Sequence, residues 1–174
     1  MKEPSVTPTG VERFFDENDI IVSKTDLKGH ITYANETFLN IAGYTEEEVL
    51  GQPHSIIRHP DMPRCVFKLL WDTIKSGEEI FAYVKNMAKN GDHYWVFAHV
   101  TPTFNGSNQI VGYHSNRRVP DRPQVDLFDG VYAKLLREER RHGDWRAGME
   151  AAERMLHELV SSKGMQYEEF IFSV

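Results

Sequence analysis

Residues 54–63, HSIIRHPDMP, place two histidines, an arginine, an aspartate and two prolines within ten positions. Three kinds of chemistry can be asked of them. A metal centre is poorly served, because His54 and His59 stand five apart and no cysteine or carboxylate cluster completes a coordination shell. A catalytic loop would need a nucleophile beside a base, and none is present. The rim of a binding pocket fits best. The forked cation of Arg58 suits a phosphate or pyrophosphate. Pro60 and Pro63 stiffen the loop, and Asp61 can accept from ribose hydroxyls or orient the arginine. The plain alternative is a rigid loop closed by an internal Arg58–Asp61 pair.

Such a rim needs a domain to carry it. The 174 residues are 40 % hydrophobic and 11 % aromatic, enough for one core with an appendage. A net charge of -6 argues against a nucleic-acid partner, which would need clustered cations. The basic run Arg137, Arg140 and Arg141 is interleaved with Glu138 and Glu139 and reads as a solvated helix face. One cysteine excludes an internal disulfide framework and suits a reducing compartment. MKEPSVTPTG has no apolar signal region, and no run of roughly 18 apolar residues occurs, so no membrane insertion and a cytoplasmic location are expected.

Along the chain, residues 1–10 are expected to be poorly ordered, and VERFFDEND to form one or two helical turns carrying Phe14 and Phe15. Two short β-branched runs flank Lys28-Gly29 as a hairpin. Asn35 is a plausible N-cap for ETFLNIAGY, with Gly43 as its stop. Thr45 and Glu48 form a capping box closed by Gly51. RCVFKLLWDTIKSG has helical spacing, with Pro63 suited to its start and Gly77 to its stop. Two alternating segments joined through Lys89-Asn90-Gly91-Asp92 follow, then a third strand, QIVGYHSNRRV. This order predicts an α+β domain, an antiparallel sheet with short helices on one face. Past Pro120 and Pro123 come two amphipathic helices. Leu127, Val131 and Leu135 form one stripe; Trp145, Met149, Ala152, Leu156 and Leu159 form the other. Asp144 can cap the second helix and Gly164 can end it. The tail MQYEEFIFSV reads as a last strand or an extended clasp.

The element order, NETFLNIAGYTEEEVLGQPHSIIRHPDMP and VKNMAKNGDHYWVFAHVTP together resemble a PAS sensor domain. Gly43-Tyr44-Thr45, the Arg-His-Pro-Asp-Met-Pro run and Lys89 to Val96 resemble more narrowly the flavin-binding PAS domain of aerotaxis (energy-taxis) receptors. The resemblance implies a five-stranded PAS sheet over residues 19–119; an N-terminal cap over 1–18 and a C-terminal helical extension over 120–174 lie outside it. It also implies a non-enzymatic redox or energy sensor holding FAD, with FMN as the lesser flavin. Those receptors continue into a membrane anchor and signalling helices. Neither is visible here, so the plan is that of the soluble half of a bipartite system. Its signal would leave through a chemotaxis or energy-taxis transducer, with a homodimer as a further partner.

What the resemblance implies for residues is specific. Arg58, His59 and Asp61 help hold FAD. The row Tyr94, Val96, Ala98 and Val100 faces inward, being smaller and more apolar than His93, Trp95, Phe97 and His99. The outer pair Trp95 and Phe97 then needs cover from the Phe14–Phe15 segment or the C-terminal helices. Ile80, Ala82, Val84 and Asn86 also face inward, and Asn86, at a place where flavin-binding relatives carry asparagine, pairs with the flavin pyrimidine ring. His114, sharing a face with Gly112 and Asn116, lies near the redox-active edge. Asn35 and Trp71 complete the candidate set. Ile80 stands where many relatives carry tryptophan. Cys65 is not at the place of the light-sensing family's reactive cysteine, which falls near His54. Two other functions compete: a haem-binding gas sensor ligated through His54 or His59, and a ligand-free dimerisation or interaction module.

Overall fold

The computed structural model describes residues 6–174. Strands β1 (Ile21–Thr25) and β2 (Ile31–Ala34) form the first hairpin. Helices α1 (Glu36–Ala42), α2 (Glu46–Val49) and α3 (Arg64–Lys75) follow, with a 3-10 turn at His54–Ile57. Strands β3 (Ile80–Met87), β4 (His93–Phe104) and β5 (Ile110–Arg118) complete an antiparallel sheet of order β2-β1-β5-β4-β3. Three more helices end the chain: α4 (Arg122–Arg140), α5 (Trp145–Ser162) and α6 (Tyr167–Ser173).

Local chemistry explains most boundaries. The Asn35 side chain accepts from the Phe38 N–H at 3.0 Å and from the Val22 N–H at 3.0 Å, and donates to the Ile20 carbonyl at 2.8 Å. One amide therefore caps α1 and pins it to β1. Thr45 and Glu48 form the expected capping box, and Asp144 caps α5 by accepting from Ala147. The β3–β4 turn requires glycine: Gly91 has φ of 98°, and a Cβ there would meet the Thr7 carbonyl oxygen at 2.3 Å.

That contact reveals the first departure from expectation. The segment around Val11 forms no helical turn but runs along the start of β4. Thr9 N–H donates to Gly91 O, Arg13 N–H to His93 O, and His93 N–H to Val11 O. These backbone groups are committed to a distant strand, so none remains for local helical bonds. Of residues 1–10, also expected to be loose, 1–5 lie outside the described residues, whereas Thr9 is tied to the turn.

The outer sheet face is covered by the C-terminal helices. Phe128 of α4 stacks on Tyr83 with ring centroids 4.5 Å apart, Tyr132 stacks on Trp95, and Phe172 of α6 meets Phe81 and Phe97. Phe14 is 74 % exposed and covers none of it, while Phe15 borders a small cleft beside Trp95. The buried stripe of α4 is Val125, Phe128, Val131, Tyr132 and Leu135; Leu127 points to solvent. The tail is helix α6, because Gln166 and Glu169 form a capping box that sets its start. Where α4 and α5 approach most closely, a Cβ on Gly148 would meet the Glu139 carbonyl at 2.2 Å, so only glycine fits.

Candidate functional site

Between the inner face of the sheet and the helices lies a cavity of about 480 Å³, within the range of small-molecule sites. Its apolar walls come from Val84, Ala98 and Val100 of the sheet and from Phe67, Leu70, Trp71 and Ile74 of α3. Polar groups are concentrated at two ends. Deep in the sheet are Ser23, Thr25 and Arg117, with His54 beside them. Towards solvent are Arg58, Arg64 and Lys68, with Trp145 and Met149 of α5.

The deep end is short of acceptors. Arg117 is 2 % exposed, and its Nε and Nη1 donors have no partner among the described residues. Its remaining amino group donates to Ser23 Oγ, and the guanidinium lies 5.2 Å from the Phe38 ring centroid. Burial lowers its pKa to about 10, so it stays charged at neutral pH. Ser23 Oγ, which accepts from Arg117, also hydrogen-bonds to His54 Nε2 at 2.9 Å. Burial, then the charge of Arg117, holds the pKa of His54 down to about 3. Thr25 Oγ1 and Tyr94 OH are further buried polar atoms without a partner among the described residues.

Asn86 and Arg58 are brought side by side by an isolated backbone bridge. Asn86 is 4 % exposed and borders the cavity. Arg58 lies over the Phe67 ring at 4.4 Å and donates to the Met62 carbonyl at 3.3 Å. Its pKa is lowered by burial and then by Arg64. Two guanidiniums therefore repel across the mouth, which favours an anion between them. Trp71 lines the wall, edge-on to Tyr113 at 5.4 Å.

Other candidates sit elsewhere. Asn35 spends its whole amide on the α1 cap and the β1 backbone. Tyr94 and Val96 do face inward and are fully buried, but they pack in the core rather than along the cavity. His59 is buried away from it; its Nδ1 accepts from the Asp61 N–H at 3.0 Å, and its ring meets His93 edge-on. Asp61 pairs with Lys85 at 3.3 Å instead of closing on Arg58 as the rigid-loop reading expected. His114 borders the cavity, but register corrects its facing. Tyr113, Ser115 and Arg117 oppose Thr25, Ser23 and Ile21, so His114 belongs to the outward row, and its Nε2 lies 2.9 Å from Asn116 Oδ1. Cys65 packs on α3, where its N–H donates to the Glu139 carboxylate at 2.9 Å.

The family model for the PAS fold matches residues 31–117. The chain belongs to the PAS family. Over 119 residues this PAS chain is 42 % identical to the aerotaxis receptor of Escherichia coli (strain K12), a match covering 68 % of the chain and 23 % of the receptor. It is 26 % identical over 103 residues to the nitrogen fixation regulatory protein of Klebsiella pneumoniae, covering 59 % of the chain and 21 % of that protein. The light-state structure of the blue-light photoreceptor Aureochrome1 LOV superposes with a TM-score of 0.54 at 25 % identity, covering 70 % of this chain and 91 % of that one. The chain thus spans under a quarter of the length of these two curated relatives. Among the described residues of this PAS domain no helix is long and apolar enough to cross a membrane, and no group of three or more His, Cys, Asp or Glu is placed to hold a metal.

The two buried histidines give the PAS fold a pH signature. Burial, and then Lys85, lowers the pKa of His59 to about 4, and that of His54 is about 3 against an ordinary 6.5. The unfolded chain therefore binds more protons below pH 6.5. Their contribution is complete above that pH and falls as acid is added, by up to about 1.4 kcal/mol per pH unit for each histidine. Urea midpoints measured from pH 7 to pH 4.5 are expected to decline steadily. In His59→Gln the decline is shallower; an unchanged slope would remove His59 from this role.

Proposed function

We propose that this PAS domain binds FAD and serves as a redox or energy sensor of the aerotaxis type, passing its signal to a separate transducer. The observation that carries the reading is the buried Arg117 guanidinium, whose Nε and Nη1 have no partner among the described residues, at the deep end of a cavity with apolar walls. A buried cation without a counter-charge costs several kcal/mol, so its natural complement is a ligand rich in acceptors. A flavin pyrimidine ring presents two carbonyls, a ring nitrogen and an N–H. Arg117 supplies donors to the carbonyls and the ring nitrogen, and the Asn86 amide can serve both a carbonyl and the N–H. At the other end Arg58 and Arg64 suit a pyrophosphate. The residues present fit the group.

When bound, flavin supplies reversible electron acceptance. The chain's own residues hold its charge. Arg117 favours added negative charge at the deep end, and the neutral His54–Ser23 pair adjoins it. β4 carries Ala98 and Val100 on the cavity side and Trp95 and Phe97 beneath the C-terminal helices. A shift of one strand thereby bears on both. The similarity to an aerotaxis receptor supports a chemotaxis transducer as the partner.

An absorption spectrum tests the reading. The purified protein, or apo-protein reconstituted with FAD, is expected to be yellow and to bleach with dithionite. A protein that stays colourless after reconstitution contradicts it. Haem remains the second reading, because His54 borders the cavity and is held unprotonated. A Soret band in place of the flavin bands would establish haem.

A further inference from the structure

The C-terminal hairpin takes part in the cavity itself. Trp145 and Met149, both on α5, line its solvent end opposite Arg58 and Arg64. Trp145 is half exposed although large and apolar, and two guanidiniums flank its ring: Arg64 at 5.5 Å and Arg146 at 5.1 Å. Lys68 on α3 pairs with Glu153 on α5 at 2.9 Å, which ties α5 to the helix that lines the cavity. An aromatic plate beside cations at a cavity mouth matches the way proteins hold a nucleobase next to its phosphates. Met149 beneath it is an adaptable apolar support.

Resting on the flavin reading, we infer that Trp145 and Met149 form the subsite for the second ring system of a dinucleotide, the adenine of FAD. α5 then makes the cavity selective for FAD over FMN. Lys68 at this end is already paired with Asp72 and Glu153, so Arg58 and Arg64, which also line the mouth, are the cations offered to the phosphates. Ligand occupancy and the seating of the hairpin become coupled, because the ligand touches α5 directly.

Fluorescence titration of the apo-protein with FAD, FMN and riboflavin tests this in the wild type, Trp145→Ala and Trp145→Phe. The wild type is expected to prefer FAD over FMN by about tenfold or more, the range of one base–aromatic stack. Trp145→Ala loses that factor for FAD and stays within about twofold for FMN, while Trp145→Phe restores most of it. Equal loss for FAD and FMN in Trp145→Ala, or no loss for either, overturns the subsite while leaving the flavin reading standing. A wild type that binds neither flavin overturns both.

Discussion

Arg117→Met is expected to make the ligand-free protein more stable and at the same time to strip it of flavin. The side chain is buried, its charge persists at neutral pH, and Nε and Nη1 lack partners among the described residues. Its bonds to Ser23 and to the Phe38 ring face supply no negative charge. Replacing buried ion pairs with apolar side chains is neutral or gains about 1–4 kcal/mol, and a cation with no counter-charge has at least as much desolvation cost to shed. For a chain of this size that raises the melting temperature by about 2–4 °C per kcal/mol. The same change removes charge-assisted hydrogen bonds to the ligand, worth about 1.5–3 kcal/mol each, so flavin affinity falls by about 100-fold. Arg117→Lys keeps the charge but loses the fork, and should bind with intermediate strength. Calorimetric melting with and without FAD reads both quantities. A methionine variant that melts lower and binds flavin normally would make Arg117 a purely structural residue.

Phe128→Ala should be the most damaging single truncation outside the cavity. Its ring is 1 % exposed and touches Tyr83, Tyr132 and Phe170, joining β3, α4 and α6 in one contact. Truncating a buried phenylalanine costs about 3–5 kcal/mol, a drop in melting temperature of about 10 °C. The loss falls on the outer face of the sheet, so flavin binding at low temperature should survive. Thermal unfolding followed by circular dichroism, with FAD retention measured at about 10 °C, near the usual temperature of maximum stability, checks both halves. A loss below about 1 kcal/mol would mean that the helices are not anchored through this ring.

The contrast between these residues shows what could be read from the chain. The stripe of Leu127, Val131 and Leu135 located α4 but missed Phe128, since Leu127 faces solvent and Phe128 the sheet, whereas Asn35, Thr45, Gly43 and Gly91 announce their caps and turns through local chemistry. The hairpins and the order of elements were legible for that reason. Arg117 was not. Both rows of β5 are polar, Gly112-His114-Asn116 on one side and Tyr113-Ser115-Arg117 on the other, so alternation alone does not say which row faces in. Pairing with the buried Ile21 and Ser23 decides it, and that information is non-local. The segment at Val11 failed in the same way, since its partners lie some eighty residues on.

The motif at 54–63 divided on folding. His54 and Arg58 turn to the cavity, whereas His59 and Asp61 turn to the packing beneath α4 and β3. Their neighbourhood in sequence made them look like one rim. The tight turn after His54–Ile57 sends successive side chains in different directions. Trp145 was legible as the first residue of the α5 apolar stripe; that it stays half exposed at the cavity mouth is set by where α5 docks, which is non-local.

The account stands or falls on what fills the space between the sheet and α3. The direct measurement is the flavin content per chain of protein unfolded, refolded with excess FAD and freed of unbound dye by gel filtration. One flavin per chain is the predicted result, lost when Ala98 in the cavity wall is enlarged to tryptophan. No flavin on a folded wild-type chain, or the same content in Ala98→Trp, would contradict it.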